Sequence, residues 1–171
     1  FYLDLRNPNF KTSIAVFHQR YSTNTFPDWK LAHPYRRIGH NGEINTLMGN
    51  KNWMKARENS ATSKVWGKDV DIIKPFIAPN GSDSSDLDSA LELLTLSGRD
   101  ILQSVCMLVP EAYEKDPSVS NELKSFYEYS SCITEPWDGP AAIVFTDGRY
   151  VGAALDRNGL RPIRYHITRI I

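Results

Sequence analysis

The sequence predicts an α+β layered domain, and three observations support this prediction. Short runs of β-forming residues lie towards both ends of the chain, within residues 12–20 and 141–167. Segments in which apolar residues recur at helical spacing are grouped between them, from residue 44 to residue 132. Near the C-terminal end, turn-forming pairs separate the short runs. Strands at both ends with helices grouped between them are typical of an α+β layered domain.

The first part of the chain predicts two strands joined by a long loop. Thr12–Arg20 is apolar and rich in β-formers, which indicates a buried strand. Tyr21–Pro34 shows no periodicity and predicts a loop, and a loop this long within a domain is usually functional. A second short strand is expected around Tyr35–Gly39.

The middle of the chain predicts four helices. The second should begin at an N-cap formed by Ser85 or Asp86, after a turn-rich loop, and should end at Gly98. Pro110 should end the third. The expected segments are Ile44 to about Ser60, Leu87–Leu96, Arg99–Val109 and Asn121 to about Cys132.

After Pro136 the pattern predicts strands again, joined by short turns. Thr146-Asp147-Gly148-Arg149 predicts a two-residue hairpin turn, and Asn158-Gly159 marks a second turn. The expected strands are Ala141–Phe145, Tyr150–Leu155 and Arg161–Ile167.

Composition excludes several classes of function. The 171 residues carry 20 basic and 20 acidic side chains, so no net charge favours nucleic acid or an anionic membrane. No apolar run approaches the roughly 20 residues that would span a bilayer. Cys106 and Cys132 have neither C-x-x-C spacing nor a histidine at metal-ligand spacing, so a metal site is not expected and Cys106 is interpreted as a buried thiol.

Arg20 is a candidate anion-binding residue. It lies where the predicted strand gives way to the loop, and its planar guanidinium suits bidentate binding of a carboxylate. The alternative interpretation is a surface cation or a structural partner of Asp28.

Asn41 and Gly42 are a candidate pair of hydrogen-bond donors. Asn-Gly after a strand is typical of a type I′ hairpin turn. However, the residues that follow, from Glu43 to Leu47, indicate entry into a helix. In the alternative interpretation, the Asn41 side-chain amide and the Gly42 N–H converge on one point as an oxyanion hole.

Asp83 is a candidate cation-binding residue. It belongs to a cluster of three carboxylates, with Asp86 and Asp88, close to one predicted helix start. N-capping accounts for Ser85 or Asp86 without requiring the other two. A carboxylate in this place could hold an ammonium group. The four histidines lie far apart in sequence, and each is interpreted as a structural residue.

Six motifs in this order resemble the class II glutamine amidotransferase domain of the glutamate synthase family. The resemblance extends from about Tyr2 to Thr168. The motifs are HQRYSTNTFP at 18–27, AHPYR at 32–36, GHNGEINT at 39–46, GSDSSD at 81–86, EPWDGP at 135–140 and DRNGLRP at 156–162.

This resemblance implies an N-terminal-nucleophile hydrolase-like αββα sandwich, in which two antiparallel sheets lie between helical layers. It implies hydrolysis of L-glutamine to glutamate and ammonia by an N-terminal Cys whose own α-amino group is the base. By position, Arg20 and Thr23 would bind the α-carboxylate and Asp83 the α-ammonium group. Asn41 and Gly42 would stabilise the oxyanions.

The resemblance also implies partners that lie outside these residues. Ammonia would pass to another domain of the large subunit and be used, with 2-oxoglutarate, in a reduction that requires FMN, an iron–sulfur cluster and an electron donor. No cofactor is expected within residues 1–171. The expected compartment is the cytoplasm, or a plastid in a plant.

One departure from the family separates two classes of function. Cys106 and Cys132 do not match the family nucleophile. Residues 1–171 are therefore interpreted as the C-terminal portion of one amidotransferase domain, incomplete in fold and inactive in isolation. The alternatives are a non-catalytic glutamine-sensing or regulatory domain, or another class II amidotransferase.

Overall fold

The computed structural model describes residues 2–21 and 26–169. Within these residues the chain forms four α-helices, three strands and three short 3₁₀ helices, which confirms the α+β class. The strands and helices, in chain order, are β1 (Ile38–Gly42), α1 (Leu47–Glu58), α2 (Asp83–Leu96), α3 (Ile101–Leu108), α4 (Asn121–Ser131), β2 (Ala141–Thr146) and β3 (Val151–Leu155).

The three strands form one antiparallel sheet in the order β1-β2-β3. Ile38 lies opposite Phe145, and Gly42 lies opposite Ala141. Thr146 lies opposite Val151 in the second pair of strands. In the part of the chain that the structure describes, β1 is therefore an edge strand, joined to β2 along one side only.

The helices cover one face of this sheet. Helix α2 packs on β1, α3 packs on α2, and α4 packs on α3. Alternate residues of β1 and β2 point towards the helices, and Ile38, Ile143 and Phe145 are buried there. Most of the other large core side chains come from α2, α3 and the loop before β2, and they include Leu87, Leu91, Ile101, Leu108 and Trp137.

The opposite face of the sheet is much more exposed. Val144, Val151 and Leu155 point away from the helices and are 37%, 59% and 42% exposed. A sheet that is apolar on both faces is suited to being covered on both faces. This is a partial α+β fold, consistent with the incomplete sandwich that the resemblance implies.

Two of the predicted strands are wrong. Neither Thr12–Arg20 nor Arg161–Ile167 is part of the sheet. Ile14, Val16 and His18 are partly buried, whereas Ala15 and Phe17 between them are exposed, so this segment has the alternation of an extended chain. The sequence thus predicted the extended conformation of residues 12–20 correctly, but not their place in the structure. A strand also requires a neighbour with which to exchange backbone hydrogen bonds.

The strand predicted at Tyr35–Gly39 is displaced by three residues. β1 begins at Ile38, where the Asp88 carboxylate binds the backbone N–H groups, and it continues through Asn41 and Gly42. The hairpin-turn interpretation of Asn41-Gly42 is therefore wrong, while the helix entry expected after it is confirmed by α1.

The predicted helices are confirmed, with two shifted starts: α1 begins three residues later than expected and α2 begins four residues earlier. Helix α2 begins at Asp83, and Ser82 rather than Ser85 or Asp86 is its N-cap, since the Ser82 hydroxyl accepts a hydrogen bond from the Ser85 N–H at 3.2 Å. The β2–β3 hairpin is also confirmed, but its loop has four residues, Asp147–Tyr150, rather than two. The Asp147 carboxylate stabilises it by accepting from the N–H groups of Arg149 and Tyr150.

Candidate functional site

The backbone of β1 directs the Gly42 N–H away from the sheet. Thr146 donates its N–H to the Arg37 carbonyl at 2.8 Å, and Glu43 donates to the Pro140 carbonyl at 2.9 Å. The backbone N–H and C=O groups of residues 37 and 43 therefore point towards β2, and so do those of residues 39 and 41 between them. The residues of opposite parity, Ile38, His40 and Gly42, direct their backbone groups towards the unpaired edge of β1, where the Ile38 N–H donates to Asp88.

Gly42 occupies a position that excludes other residues. Its φ angle of 150° is rarely adopted by residues with a side chain. A Cβ atom there would overlap the carbonyl oxygen of Pro140. Glycine is therefore required so that β1 can pass against the loop that precedes β2.

The segment after Gly42 is held by this same loop. The Asp138 carbonyl accepts from the N–H groups of Asn45 and Thr46, at 2.7 and 3.2 Å. The Thr46 hydroxyl in turn accepts from the Asp138 N–H at 2.9 Å. A Cβ atom at Gly139 would overlap the Glu43 carbonyl. The EPWDGP motif thus fixes one side of the Asn41–Thr46 segment.

The N-terminus of α2 fixes the other side. One carboxylate oxygen of Asp83 accepts from the Ile44 N–H at 3.0 Å, and the other accepts from the Ser84 N–H at 2.7 Å. Asp83 lies in the first turn of α2, where the helix dipole favours a carboxylate. Asp83 is therefore bound to the backbone two residues after Gly42.

A second connection runs from α2 to β1 through side chains. The Ser84 hydroxyl donates to Asp83 at 3.2 Å and lies 2.7 Å from the Nδ1 atom of His40. His40 is 2% exposed and Ser84 is 3% exposed. The Nε2 atom of His40 is buried and has no hydrogen-bond partner among the described residues.

Three histidines gather at the edge of β1. The rings of His18 and His33 are stacked with centroids 4.3 Å apart, and the His33 ring lies 4.6 Å from that of Tyr35. The hydroxyl of Tyr35 bonds to the Leu31 carbonyl and to Ser82, the N-cap of α2. This histidine cluster (His18, His33 and His40) brings together the segment before the loop, the end of the loop and β1, and it contacts α2 through Ser84.

The charges of Arg20 and Asp83 both act on the histidines of this cluster. Burial, reinforced by the charges of His18 and Arg20, lowers the pKa of His33 to about 4, whereas the Asp83 charge acts in the opposite direction. Burial also lowers the pKa of His40, with Asp83 opposing and Arg20 contributing to the shift. Both the predicted anion-binding and the predicted cation-binding side chains therefore lie within electrostatic range of the same histidines.

Asn41 lies on the opposite face of β1 from His40. Its side chain is exposed and lines a cavity of about 290 Å³ together with Val16, His18 and Ile163. The segment that carries Arg20 thus passes beside Asn41 on its way to the histidine cluster.

The other carboxylates of the α2 start have structural roles. Asp88 accepts from the backbone N–H groups of Arg36, Arg37 and Ile38, at 3.3, 2.8 and 3.0 Å. Asp86 is fully buried and pairs with Lys51 at 3.0 Å. Burial raises the pKa of both carboxyl groups.

The two cysteines are free thiols. Burial raises the pKa of the half-buried Cys106, and the Glu111 charge adds to this shift. A raised pKa keeps the thiol protonated, which makes it a poor nucleophile. Cys132 is exposed at the end of α4, where its thiol donates to the Glu128 carbonyl.

The structure describes four of the five predicted site residues. Asp83, Asn41 and Gly42 lie at the junction of β1 and α2, and Arg20 lies on the segment that approaches them; Thr23 lies outside the described residues. The sequence interpretation of His18, His33 and His40 as unrelated structural residues missed their clustering. The one feature of the sequence that could have indicated a shared role is that each of the three histidines lies in one of the six motifs.

Neither a metal site nor a membrane-spanning helix is found in the described ranges 2–21 and 26–169. In these ranges, no group of three or more His, Cys, Asp or Glu side chains is arranged to hold a metal ion. None of the helices found there has the length and apolar character required to cross a membrane.

Comparison with known proteins gives matches along the whole chain. A family model described as class II glutamine amidotransferases matches residues 1–170. The NADH glutamate synthase of Saccharomyces cerevisiae is 54% identical over 98% of this chain and 8% of its own length. The ferredoxin-dependent glutamate synthase 2 of Synechocystis is 54% identical over 99% of this chain and 11% of its own length.

A third relative extends the comparison to another named electron donor. The large chain of the NADPH glutamate synthase of Bacillus subtilis is 52% identical over 99% of this chain and 11% of its own length. The chain therefore spans about a tenth of the length of these three relatives.

Proposed function

The chain belongs to the class II glutamine amidotransferases, and from this premise we propose that it forms the glutamine-binding and oxyanion-stabilising part of the glutaminase domain of a glutamate synthase. The domain hydrolyses the side-chain amide of glutamine to glutamate and ammonia. The observation that carries the proposal is the junction of β1 and α2, where Asp83 binds the Ile44 backbone beside Asn41 and Gly42.

Arg20 and Asp83 bind the two charged groups common to all free amino acids. The guanidinium of Arg20 pairs with the α-carboxylate, assisted by Thr23, and the Asp83 carboxylate pairs with the α-ammonium group. Support comes from the opposite effects of Arg20 and Asp83 on the pKa of His33, since two opposite charges act on one small region. This pairing orients the side-chain amide of glutamine towards β1.

Asn41 and Gly42 stabilise the oxyanion that forms when the amide carbon is attacked. The Asn41 side-chain N–H and the Gly42 backbone N–H are the two donors. Support comes from the β1–β2 register, which turns the Gly42 N–H away from β2, and from the backbone clamps on both sides of the segment. A donor fixed before the reaction does not have to reorganise as the charge develops.

The nucleophile lies outside residues 1–171, so these residues alone do not hydrolyse glutamine. The buried Cys106 has a raised pKa, and the exposed Cys132 thiol is directed to a helix carbonyl. Neither is suited to attack an amide. Cys106→Ser and Cys132→Ser are therefore expected to leave glutaminase activity intact.

The ammonia product is used by another part of the parent enzyme, in the reductive amination of 2-oxoglutarate. FMN, an iron–sulfur cluster and the electron donor act there. Relatives named for NADH, NADPH and ferredoxin are 52–54% identical to this chain, so donor choice belongs to other regions. The enzyme acts in the cytoplasm or, as in the relative named as chloroplastic from rice, in a plastid.

Steady-state glutaminase kinetics of the complete polypeptide test the proposal. Arg20→Ala should raise KM for glutamine about 10- to 100-fold, as expected from losing a charged hydrogen bond. Asn41→Ala should lower kcat about 100- to 1,000-fold, because it removes one oxyanion donor.

Matched controls use exposed residues of the same type. Arg149→Ala, in the hairpin loop at the other end of the sheet, and Asn52→Ala, on α1, should leave both constants unchanged. Small and equal effects of Arg20→Ala and Asn41→Ala would contradict the assigned roles.

A further inference from the structure

We propose that His40 and Ser84 act as positioning residues, which hold the Asn41-Gly42 donors in register with Asp83 through a closed hydrogen-bond circuit. The inference rests on the proposed function and adds two residues to it. Both side chains are buried, and neither is one of the residues assigned to contact glutamine.

The circuit has a defined direction. The single proton of the Ser84 hydroxyl is donated to Asp83 at 3.2 Å. The contact between that hydroxyl and His40 Nδ1, at 2.7 Å, must then use a proton on Nδ1. The order of donation is therefore His40 to Ser84 to Asp83, and burial, which lowers the pKa of His40, favours the neutral ring with its proton on Nδ1.

The circuit closes on the backbone. The second oxygen of Asp83 accepts from the Ile44 N–H at 3.0 Å. His40 and Ile44 lie on either side of the three residues 41–43. The circuit thus begins in β1, passes through α2 and returns to the chain two residues after Gly42, which fixes both ends of the short segment that carries the two donors.

The circuit also complements the clamp made by residues 138–140. That clamp holds residues 43–46 from the side of β2. The circuit holds the overlapping residues 40–44 from the side of α2, where Asp83 has been assigned to the ammonium group. The two clamps together set the distance between the Asp83 carboxylate and the oxyanion donors, and this distance must match the length of one glutamine molecule.

Substitutions that distinguish the two nitrogens of His40 test the circuit in the complete polypeptide. His40→Asn keeps a donor near the position of Nδ1 and should retain most of kcat. His40→Gln places its amide near the position of Nε2 instead and should lower kcat about 10- to 100-fold, as expected from small displacements of catalytic donors. Ser84→Ala should lower kcat to a similar extent. In His40→Gln and in Ser84→Ala, KM for glutamine should change less than kcat.

A double substitution and a matched control separate positioning from general stability. His40→Gln combined with Ser84→Ala should be no slower than the slower single variant, because both break the same circuit. Ser104→Ala removes another buried hydroxyl, which donates to the Asp100 carbonyl at 2.8 Å, and should leave kcat unchanged.

The outcomes separate this inference from the function on which it rests. If Asn41→Ala lowers kcat while His40→Gln and Ser84→Ala do not, the circuit is refuted and the oxyanion role stands. Equal loss of kcat in Ser84→Ala and Ser104→Ala, or in His40→Asn and His40→Gln, would also refute the circuit. If Asn41→Ala has no effect, the proposed function fails and the inference with it.

Discussion

Two regions meet at the candidate site, and they are stabilised very differently. The β1–α2 corner (residues 38–46 and 82–88) is joined by buried side chains, by the contact between Ser84 and His40, and by backbone N–H groups that donate to the carboxylates of Asp83 and Asp88. The extended segment (residues 12–21) approaches the corner from outside, and its Phe17 is 89% exposed. The corner carries Asn41, Gly42 and Asp83, whereas the segment carries Arg20.

The difference between the two regions matches the different roles proposed for their residues. Groups that stabilise developing charge have to be fixed before the reaction, and the two residues proposed for this role, Asn41 and Gly42, lie on the corner. The residue assigned to the α-carboxylate lies on a segment with few buried contacts, and such segments are suited to move when a ligand arrives.

The largest expected difference between the two regions is in stability. Asp88→Ala leaves three backbone N–H groups without their acceptor and should lower the free energy of unfolding by about 3 to 5 kcal/mol. Thr12→Ala, in the extended segment, should lower it by less than about 0.5 kcal/mol. Urea unfolding of the amidotransferase domain, followed by tryptophan fluorescence, measures both.

Asp88→Asn serves as the intermediate case, since it keeps one acceptor oxygen and should lose less stability than Asp88→Ala. Losses of similar size for Asp88→Ala and Thr12→Ala would contradict the division into a rigid corner and a loosely held segment.

The second expected effect concerns pH, at the histidines where the two regions meet. The pKa of His33 is lowered from 6.5 to about 4 by burial, so between these values the unfolded chain binds the proton and the folded chain does not. Stability present above pH 6.5 should therefore be lost as the pH falls towards 4, by up to about 3 kcal/mol from His33 alone. Urea unfolding across this range measures the loss.

His33→Gln should flatten this pH dependence, because the titrating group is removed. His166→Gln replaces an exposed histidine and is the matched control. A pH dependence in His33→Gln that equals that of the unsubstituted protein would show that His33 is not buried in its neutral form.

The smallest expected effect concerns Phe17. Because its ring is 89% exposed, Phe17→Ser should change the free energy of unfolding of residues 1–171 by less than about 0.5 kcal/mol. Ile38→Ser, in β1, should cost several times more, since Ile38 is 1% exposed. The same pair measured in the complete polypeptide sharpens the comparison: a larger cost of Phe17→Ser there would show that other residues cover the extended segment.

Local signals in the sequence predicted the helices well. Ser, Asp and Pro residues mark helix ends by interactions with nearby backbone, and α3 and α4 were found within two residues of their expected bounds. The α2 start was wrong because capping residues compete: Ser82 caps the helix, while the carboxylate of Asp86 pairs with Lys51 and that of Asp88 binds the backbone before β1.

Long-range features could not be predicted from local signals. Whether residues 12–20 form a strand depends on a partner, and β-propensity gives only the extended conformation. The glycine at position 42 is required by Pro140, almost a hundred residues away in sequence. The histidine cluster brings together residues from a loop, a second loop and a strand, so only the fold reveals it.

The candidate site itself was predicted by the resemblance of the motifs to a family. The residues alone left each assignment open. The structure adds the contacts between Asp83, Ser84 and His40, which neither the spacing of these residues nor the motifs revealed.

A crystal structure of the complete polypeptide with glutamine bound and the nucleophile disabled tests the central claim most directly. The account predicts the α-carboxylate within about 3 Å of the Arg20 guanidinium, the α-ammonium group on Asp83, and the side-chain carbonyl directed to Asn41 Nδ2 and the Gly42 N–H. Glutamine bound away from the β1–α2 corner, or with its side-chain carbonyl directed away from Asn41 and Gly42, would contradict it.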